Sequence, residues 1–246
     1  MRPLRPLRLI GREVRCLCPR CVRRSCDGLS LRPMVERGVQ RRDSVRGWGG
    51  AAVGAHITEL DVPVSPLPAG QVEIQVEACG LCHSDLHLLD NDWGTGGFPV
   101  VPGHEVVGRV LDSGSTDLAV GTRVGVGWFS GGCGACEWCA GGDDHLCKKA
   151  VRTCIGHAGG FAERIQVDAR WAHPLPASLS STHAAPLLCA GSTVFAPLLR
   201  FDAKRVAVVG IGGLGHLAVQ FAGASGREVH AYTRSPNKAA EALSLG

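Results

Sequence analysis

No apolar run in this 246-residue chain approaches the roughly 20 residues that a membrane-spanning helix needs, which argues against a membrane protein. No continuous apolar segment of the signal-peptide kind precedes the cysteines,. Cysteine itself is too sparse for a small disulfide scaffold, at twelve residues in the whole chain,. Those cysteines are clustered, so metal ligation in a reducing, cytoplasmic compartment is expected rather than secreted disulfides. A basic excess is also missing beyond residue 47, where 13 basic residues face 18 acidic ones. That balance gives no electrostatic case for binding nucleic acid.

What remains is an ordinary globular composition, 45% hydrophobic and 20% charged, in a chain long enough for one large domain or two. The overall charge of +4 conceals an asymmetry, because residues 1–47 hold thirteen arginines against four acidic residues. A basic start of this kind reads as a nucleic-acid arm, a targeting segment, or sequence foreign to the folded protein. Pro3, Pro6, Pro19 and Pro33 interrupt any helix there,, and no amphipathic leader helix is readable. Cys16, Cys18, Cys21 and Cys26 include one CxxC but no second well-spaced pair, which is a weak metal signal. The expectation for residues 1–47 is an Arg-rich disordered extension.

From about Trp48 the texture changes. Gln71–Val76 alternates polar and apolar as a half-buried strand does,. Short apolar runs follow at Glu105–Leu111, Arg123–Trp128 and Phe161–Val167, between glycine and proline breaks. This pattern predicts a mostly β domain over 48–175. Beyond Pro176, Ser181–Leu199 reads as helical. Arg205–Val209 reads as a buried parallel strand, and Glu228–Tyr232 as a second strand. Residues 176–246 therefore look like the start of a βαβ sheet, cut off early.

Three motifs carry chemistry. Cys133, Cys136, Cys139 and Cys147 stand close together in one lobe, and four thiolates can close a tetrahedral shell around zinc with no position left for substrate. Such a shell is structural, since binding energy becomes folding energy. The second motif, Gly210-Ile-Gly212-Gly213-Leu214-Gly215, follows an apolar strand and opens an amphipathic helix. That context makes it a dinucleotide turn, with the pyrophosphate at the helix N-terminus. An NAD site places an acid about 20 residues after the first glycine. Here Thr233, Arg234, Ser235 and Lys238 occupy that stretch, and hydroxyls with positive charge suit the 2′-phosphate of NADP(H).

The third group is dispersed: Cys82 in Cys-Gly-Leu-Cys-His-Ser-Asp-Leu-His, His104 in Gly-His-Glu-Val-Val-Gly, and Cys189 in Leu-Cys-Ala-Gly-Ser-Thr. Each alone is more often a core residue than a ligand, and chain spacing does not join them.

These motifs, with the four-cysteine lobe and the glycine turn, occur in the order found in zinc-containing medium-chain alcohol dehydrogenases. Residues 48–246 most resemble the cinnamyl alcohol dehydrogenase branch. The resemblance implies an α/β chain with a GroES-like β domain followed by an incomplete Rossmann domain, a doubly wound parallel sheet. It implies a catalytic zinc on Cys82, His104 and Cys189, with water or substrate completing the shell, and a second, structural zinc in the lobe at 133–147. It implies that Glu105 approaches zinc during ligand exchange, that Asp85 supports a ligand histidine, and that Ser84 and His87 relay the substrate proton. Thr193 joins the candidate cofactor contacts, and His83 is a weaker candidate.

The implied reaction is hydride transfer between NADP(H) and an alcohol or aldehyde, in a family whose full-length members form homodimers. No nucleic-acid or membrane partner is expected. The family's cofactor domain has several more strands than this chain holds, so a zinc-stabilised non-catalytic module or inactive relic stands as the alternative.

Overall fold

The computed structural model describes residues 43–95 and 97–245. Most of the arginine-rich start, with Cys16, Cys18, Cys21 and Cys26, lies outside the described residues. Its last part does not. Strand β1 (Ser44–Gly49) pairs antiparallel with β2 (Thr58–Pro63), so the expectation of a disordered segment through residue 47 fails at its end. The inward positions of β1 are Val45, Gly47 and Gly49. Two of the three are glycines, so the alternation carries little hydrophobic signal. Glycine is needed at Gly49, where an added Cβ would lie 1.9 Å from the Val100 carbonyl oxygen.

Next come β3 (Gln71–Cys79), α1 (His83–Leu89), β4 (Val106–Ser113), β5 (Arg123–Val126), β6 (Phe129–Gly131), α2 (Glu137–Ala140), β7 (Val151–Arg152), β8 (Arg164–Asp168) and β9 (His173–Pro174). Five of these strands form an antiparallel sheet in the order β8-β3-β4-β5-β9. Its core holds Val72, Ile74, Val106, Val110, Val124, Val126, Ile165 and Val167, β-branched residues that suit a pleated, buried surface. A separate cluster of Val107, Ala184 and Ala185, with Leu188 packed against it, seats the following segment on this sheet.

That segment departs from the single helix expected over Ser181–Leu199. It runs as α3 (Ser181–Ala184), a 3-10 turn (Ala185–Leu188) and α4 (Ala190–Arg200), with a 58° bend between the first two and the third. Pro186 enters the 3-10 turn at its first residues, where its missing N–H costs nothing. Cys189 (φ −119°, ψ −76°) is the break point.

The chain then forms β10 (Arg205–Val209), α5 (Gly213–Ala224), β11 (Glu228–Tyr232) and α6 (Pro236–Ser244). Strands β10 and β11 pair in parallel, with Val208, Ile211, Val219 and Ala242 as a small core. The expected full burial of β10 is not met: Val209 is 84% exposed, because a two-stranded parallel sheet cannot cover both of its faces. Among the described residues no single helix is long and apolar enough to cross a membrane.

Gly108 stands opposite Val76 in the β3–β4 pairing, and a Cβ there would meet the Gln75 carbonyl oxygen at 2.2 Å and Ile74 Cγ2 at 2.6 Å. Gly108→Ala is expected to cost roughly 1–3 kcal/mol as overpacking against backbone. A melting midpoint lowered by several degrees checks this; an unchanged midpoint contradicts it.

Candidate active site

The lobe between β6 and β7 contains little apolar packing and four sulfurs. Cys136 stands at the N-terminus of α2, Cys139 within it, and Cys147 follows a 3-10 turn at Asp144–Leu146. The thiol sulfurs of Cys133 and Cys147 are 3.5 Å apart, those of Cys136 and Cys139 3.5 Å, and those of Cys133 and Cys139 3.9 Å. A tetrahedral zinc with Zn–S bonds of about 2.3 Å sets its sulfurs about 3.8 Å from one another, so this donor set fits the ion. Backbone N–H groups of Ala135 and Cys136 point at Cys133 and lower its pKa to about 6, which favours the thiolate a metal requires. Arg170 ties the lobe to the sheet through Asp144 (3.3 Å), Asp168 (3.1 Å) and the Gly132 carbonyl (3.5 Å).

The dispersed residues meet at the other end of the sheet. Cys82 caps the N-terminus of α1, His104 directly precedes the entry to β4, and Cys189 is the break before α4. Ligand atoms of Cys82, His104, Glu105 and Cys189 all lie within 4.8 Å of one another. The sulfurs of Cys82 and Cys189, 107 residues apart in the chain, stand 3.9 Å apart.

His104 is fully buried, with its ring against Trp128 at 5.0 Å between centroids and 87° between planes. Its Nδ1 lies 3.1 Å from Asp85 Oδ1. A carboxylate only accepts, so Nδ1 carries the proton and Nε2 presents a lone pair. Nε2 is buried with no hydrogen-bond partner, a cost of about 1–3 kcal/mol for a group left unsatisfied. A cation among Cys82, Cys189 and Nε2 removes that cost, so the residues fit a zinc ion with three protein ligands.

The charges point the same way. The Cys189 thiol at 3.9 Å and the His104 ring beside it hold Cys82 far below the usual thiol range, at about 3. Cys189 is pushed up, chiefly through its bond to Cys82. The two sulfurs therefore share one proton as a pair, and metal binding displaces such a proton. Glu105 is buried, and desolvation together with the Cys82 charge pushes its carboxyl up to about 7.

Ser84 Oγ lies 3.7 Å from Cys82 Sγ. The His87 bond goes to Asp92, Nδ1 to Oδ2 at 2.7 Å, and its ring lies between His83 (4.8 Å) and Trp93 (5.1 Å). Trp93 in turn meets Trp128 edge-on at 5.9 Å, so an aromatic chain leads from α1 to the His104 ring. Asp92, Trp93, Trp128, Cys154 and Arg170 were not legible in the sequence. They sit in loops and at strand ends, where no periodicity marks them.

The glycine turn connects β10 to α5. Gly210 has φ +91°, and a Cβ on Gly215 would lie 1.9 Å from the Gly210 carbonyl oxygen; Gly212 caps α5, which begins at Gly213 and Leu214. The Tyr232 carbonyl accepts from Gly210 N–H at 2.8 Å, bringing the end of β11 beside the turn. There Ser235 N–H donates to Thr233 Oγ1 at 3.2 Å, Arg234 is exposed, and Lys238 Nζ donates to the Ile211 carbonyl at 2.5 Å. Thr193 is exposed on α4, one turn beyond Cys189.

The profile of the alcohol dehydrogenase GroES-like domain matches residues 68–177. Aldehyde reductase AdhA of Synechocystis is 42% identical over 207 residues, covering 82% of this chain and 62% of its own length. A cinnamyl alcohol dehydrogenase from Sorghum bicolor superposes with a TM-score of 0.78 at 39% identity, over 82% of this chain and 62% of its own. Residues 68–177 thus carry an alcohol dehydrogenase GroES-like domain, and most of the chain is similar to zinc-containing medium-chain alcohol dehydrogenases of the cinnamyl alcohol dehydrogenase kind. A CAD from Helicobacter pylori complexed with NADP(H) also superposes with a TM-score of 0.78, at 32% identity, over 84% of this chain and 63% of its own. The chain thus spans about three fifths of the relatives it matches, and its GroES-like domain is followed by a βαβ unit with one parallel strand pair.

Glu105 sets a pH test on metal-stripped protein. Its folded pKa of about 7 lies above the ordinary 4.5, so ionisation opposes folding. No penalty exists at low pH; it grows as pH rises from about 4.5 to about 7 and is then constant,. Glu105→Gln should therefore gain stability relative to wild type at pH 8 and not at pH 4. Equal pH dependence of the two melting midpoints rejects this.

Proposed function

We propose that this chain carries out, or is the zinc-binding part of a protein that carries out, zinc-dependent hydride transfer between NADP(H) and an alcohol or aldehyde. The observation that carries the reading is the meeting of Cys82, Cys189 and the unpartnered His104 Nε2. Three protein ligands leave one position for a substrate oxygen. Zinc bound there supplies Lewis-acid polarisation of that oxygen.

The chain's own residues do the rest. Asp85 fixes the His104 tautomer,. Ser84, beside Cys82, holds a hydroxyl able to accept and donate a proton at the substrate oxygen. His87, polarised by Asp92, passes it outward. A Glu105 carboxylate oxygen lies within 4.8 Å of the ligand atoms of Cys82, His104 and Cys189 and serves exchange of the outer ligand. The four-cysteine lobe holds the structural zinc.

The Gly210–Gly215 turn and the N-terminus of α5 receive the pyrophosphate. Thr233, Arg234, Ser235 and Lys238, with no acid among them, favour the 2′-phosphate. The NADP(H) complex of the Helicobacter pylori protein and the aldehyde reductase name of the Synechocystis relative support this assignment. On this reading a GroES-like zinc domain runs to about residue 175, and the NADP-binding unit starts at 176. All eight cysteines among the described residues are free thiols, which supports a reducing, cytoplasmic setting. Homodimerisation through the cofactor domain belongs to the same proposal.

The exposed β10 surface, with Val209 84% exposed, favours a second reading, a zinc-stabilised module without cofactor affinity. NADPH binding decides between them. Cys189→Ser is expected to abolish aldehyde reduction while leaving about one zinc per chain in the lobe; retained reduction overturns the ligand assignment. Thr233→Asp is expected to shift preference toward NADH, and an unchanged ratio of NADPH to NADH affinity overturns the 2′-phosphate reading.

A further inference from the structure

Cys154 is a buried thiol, 2% exposed, that the proposed reaction does not use. It lies in the turn after β7, and its sulfur is within 4.8 Å of an Asp85 oxygen and of a His104 ring nitrogen. Its neighbours fix that turn. Thr153 is fully buried; its N–H donates to the Trp128 carbonyl at 2.9 Å and its hydroxyl to the Gly127 carbonyl at 2.7 Å. Ile155 N–H closes the turn on the Arg152 carbonyl at 3.1 Å. Trp128, which anchors Thr153, also abuts the His104 ring.

Two features make the side chain matter. The Cys154 backbone sits at φ +64°, the left-handed region that costs a side-chain-bearing residue about 1–2 kcal/mol. Glycine would pay nothing there. Secondly, an ionised carboxylate offers about four lone-pair positions. Asp85 has three engaged, by Cys82 N–H, Gly103 N–H and His104 Nδ1–H. A thiol is a weak donor and acceptor, and the Cys154 sulfur lines the same buried pocket, within 4.8 Å of an Asp85 oxygen and a His104 ring nitrogen.

We infer that Cys154 is a positioning residue for His104, its thiol closing the buried polar shell around the Asp85–His104 pair and so fixing the imidazole that holds the catalytic metal. This rests on the reading that Cys82, His104 and Cys189 bind a metal. Partners at this remove from a metal typically contribute 10–100-fold to its retention.

The test separates the backbone from the thiol, because Cys154→Gly relieves the first and deletes the second. Wild-type chain, Cys154→Gly, Cys154→Ser and Cys189→Ser are loaded with cobalt(II), and metal content is measured. Loss to a chelator is then followed through the thiolate-to-cobalt absorption. Cys189→Ser, retaining only the lobe metal, identifies which kinetic phase is which.

Cys154→Gly is expected to melt at or above the wild-type midpoint and yet release the catalytic-site cobalt about tenfold faster, with the lobe phase unchanged. Cys154→Ser, which keeps a donor, should release at close to the wild-type rate. Wild-type release from Cys154→Gly, or equal acceleration of both phases, overturns the inference. Wild type holding only the lobe cobalt overturns the metal reading beneath it, and the inference with it.

Discussion

Asp85 is fully buried, and its two oxygens take hydrogen bonds from Cys82 N–H, Gly103 N–H and the His104 ring. Removing a carboxylate from water costs several kcal/mol. Three charge-assisted bonds, at about 1.5–3 kcal/mol each, and the first turn of α1, offset that cost. The compensation works only if the start of α1, the Gly103–His104 approach to β4 and the imidazole all take their observed places. One side chain therefore makes the geometry of two ligand-bearing segments a condition of its own burial. It also settles the His104 tautomer, and with it the free lone pair on Nε2.

The third proposed ligand obeys a different constraint. Cys189 reaches the site because Leu188 packs on β5, where a Cβ on Gly125 would lie 2.7 Å from its side chain and one on Gly127 2.6 Å from its carbonyl oxygen. Arg123 holds the approach through the Pro176 carbonyl at 3.0 Å and Ser181 Oγ at 3.2 Å. Ser181 in turn donates to Glu77 at 2.7 Å. Packing into a glycine-lined groove and a polar clamp thus deliver what Asp85 cannot reach. The lobe differs: Arg170 tethers it to the sheet, but its sulfurs meet through local chain geometry, which metal binding would stabilise.

These differences decide what the sequence made legible. The lobe could be read directly because its donors are local, within one run from Cys133 to Cys147. Cys82, His104 and Cys189 could be joined only by family resemblance, since their meeting is tertiary. The β1 strand escaped notice because its inward side is mostly glycine. The break at Cys189 escaped because alanine and leucine on both sides read as one helix. Burial of β10 was over-read from its apolar letters, as propensity says nothing about what covers a strand. Cys154 carried no signal at all: its importance lies in a backbone angle and two neighbours 50 or more residues away.

Helix α4 links the two chemistries. It begins at Cys189, the proposed ligand, and its 11 residues span about 16 Å toward the start of β10. Phe195 packs edge-on against Phe221 of α5 at 5.6 Å. Arg227, just before β11, holds the far end through the Leu198 carbonyl at 2.6 Å and the Ala203 carbonyl at 3.0 Å. The glycine turn and Cys189 are thereby connected through one packed helix rather than through a loop. The proposed metal position and the candidate cofactor turn are thus joined through one packed helix, which is what the proposed hydride transfer over a short, fixed distance would demand.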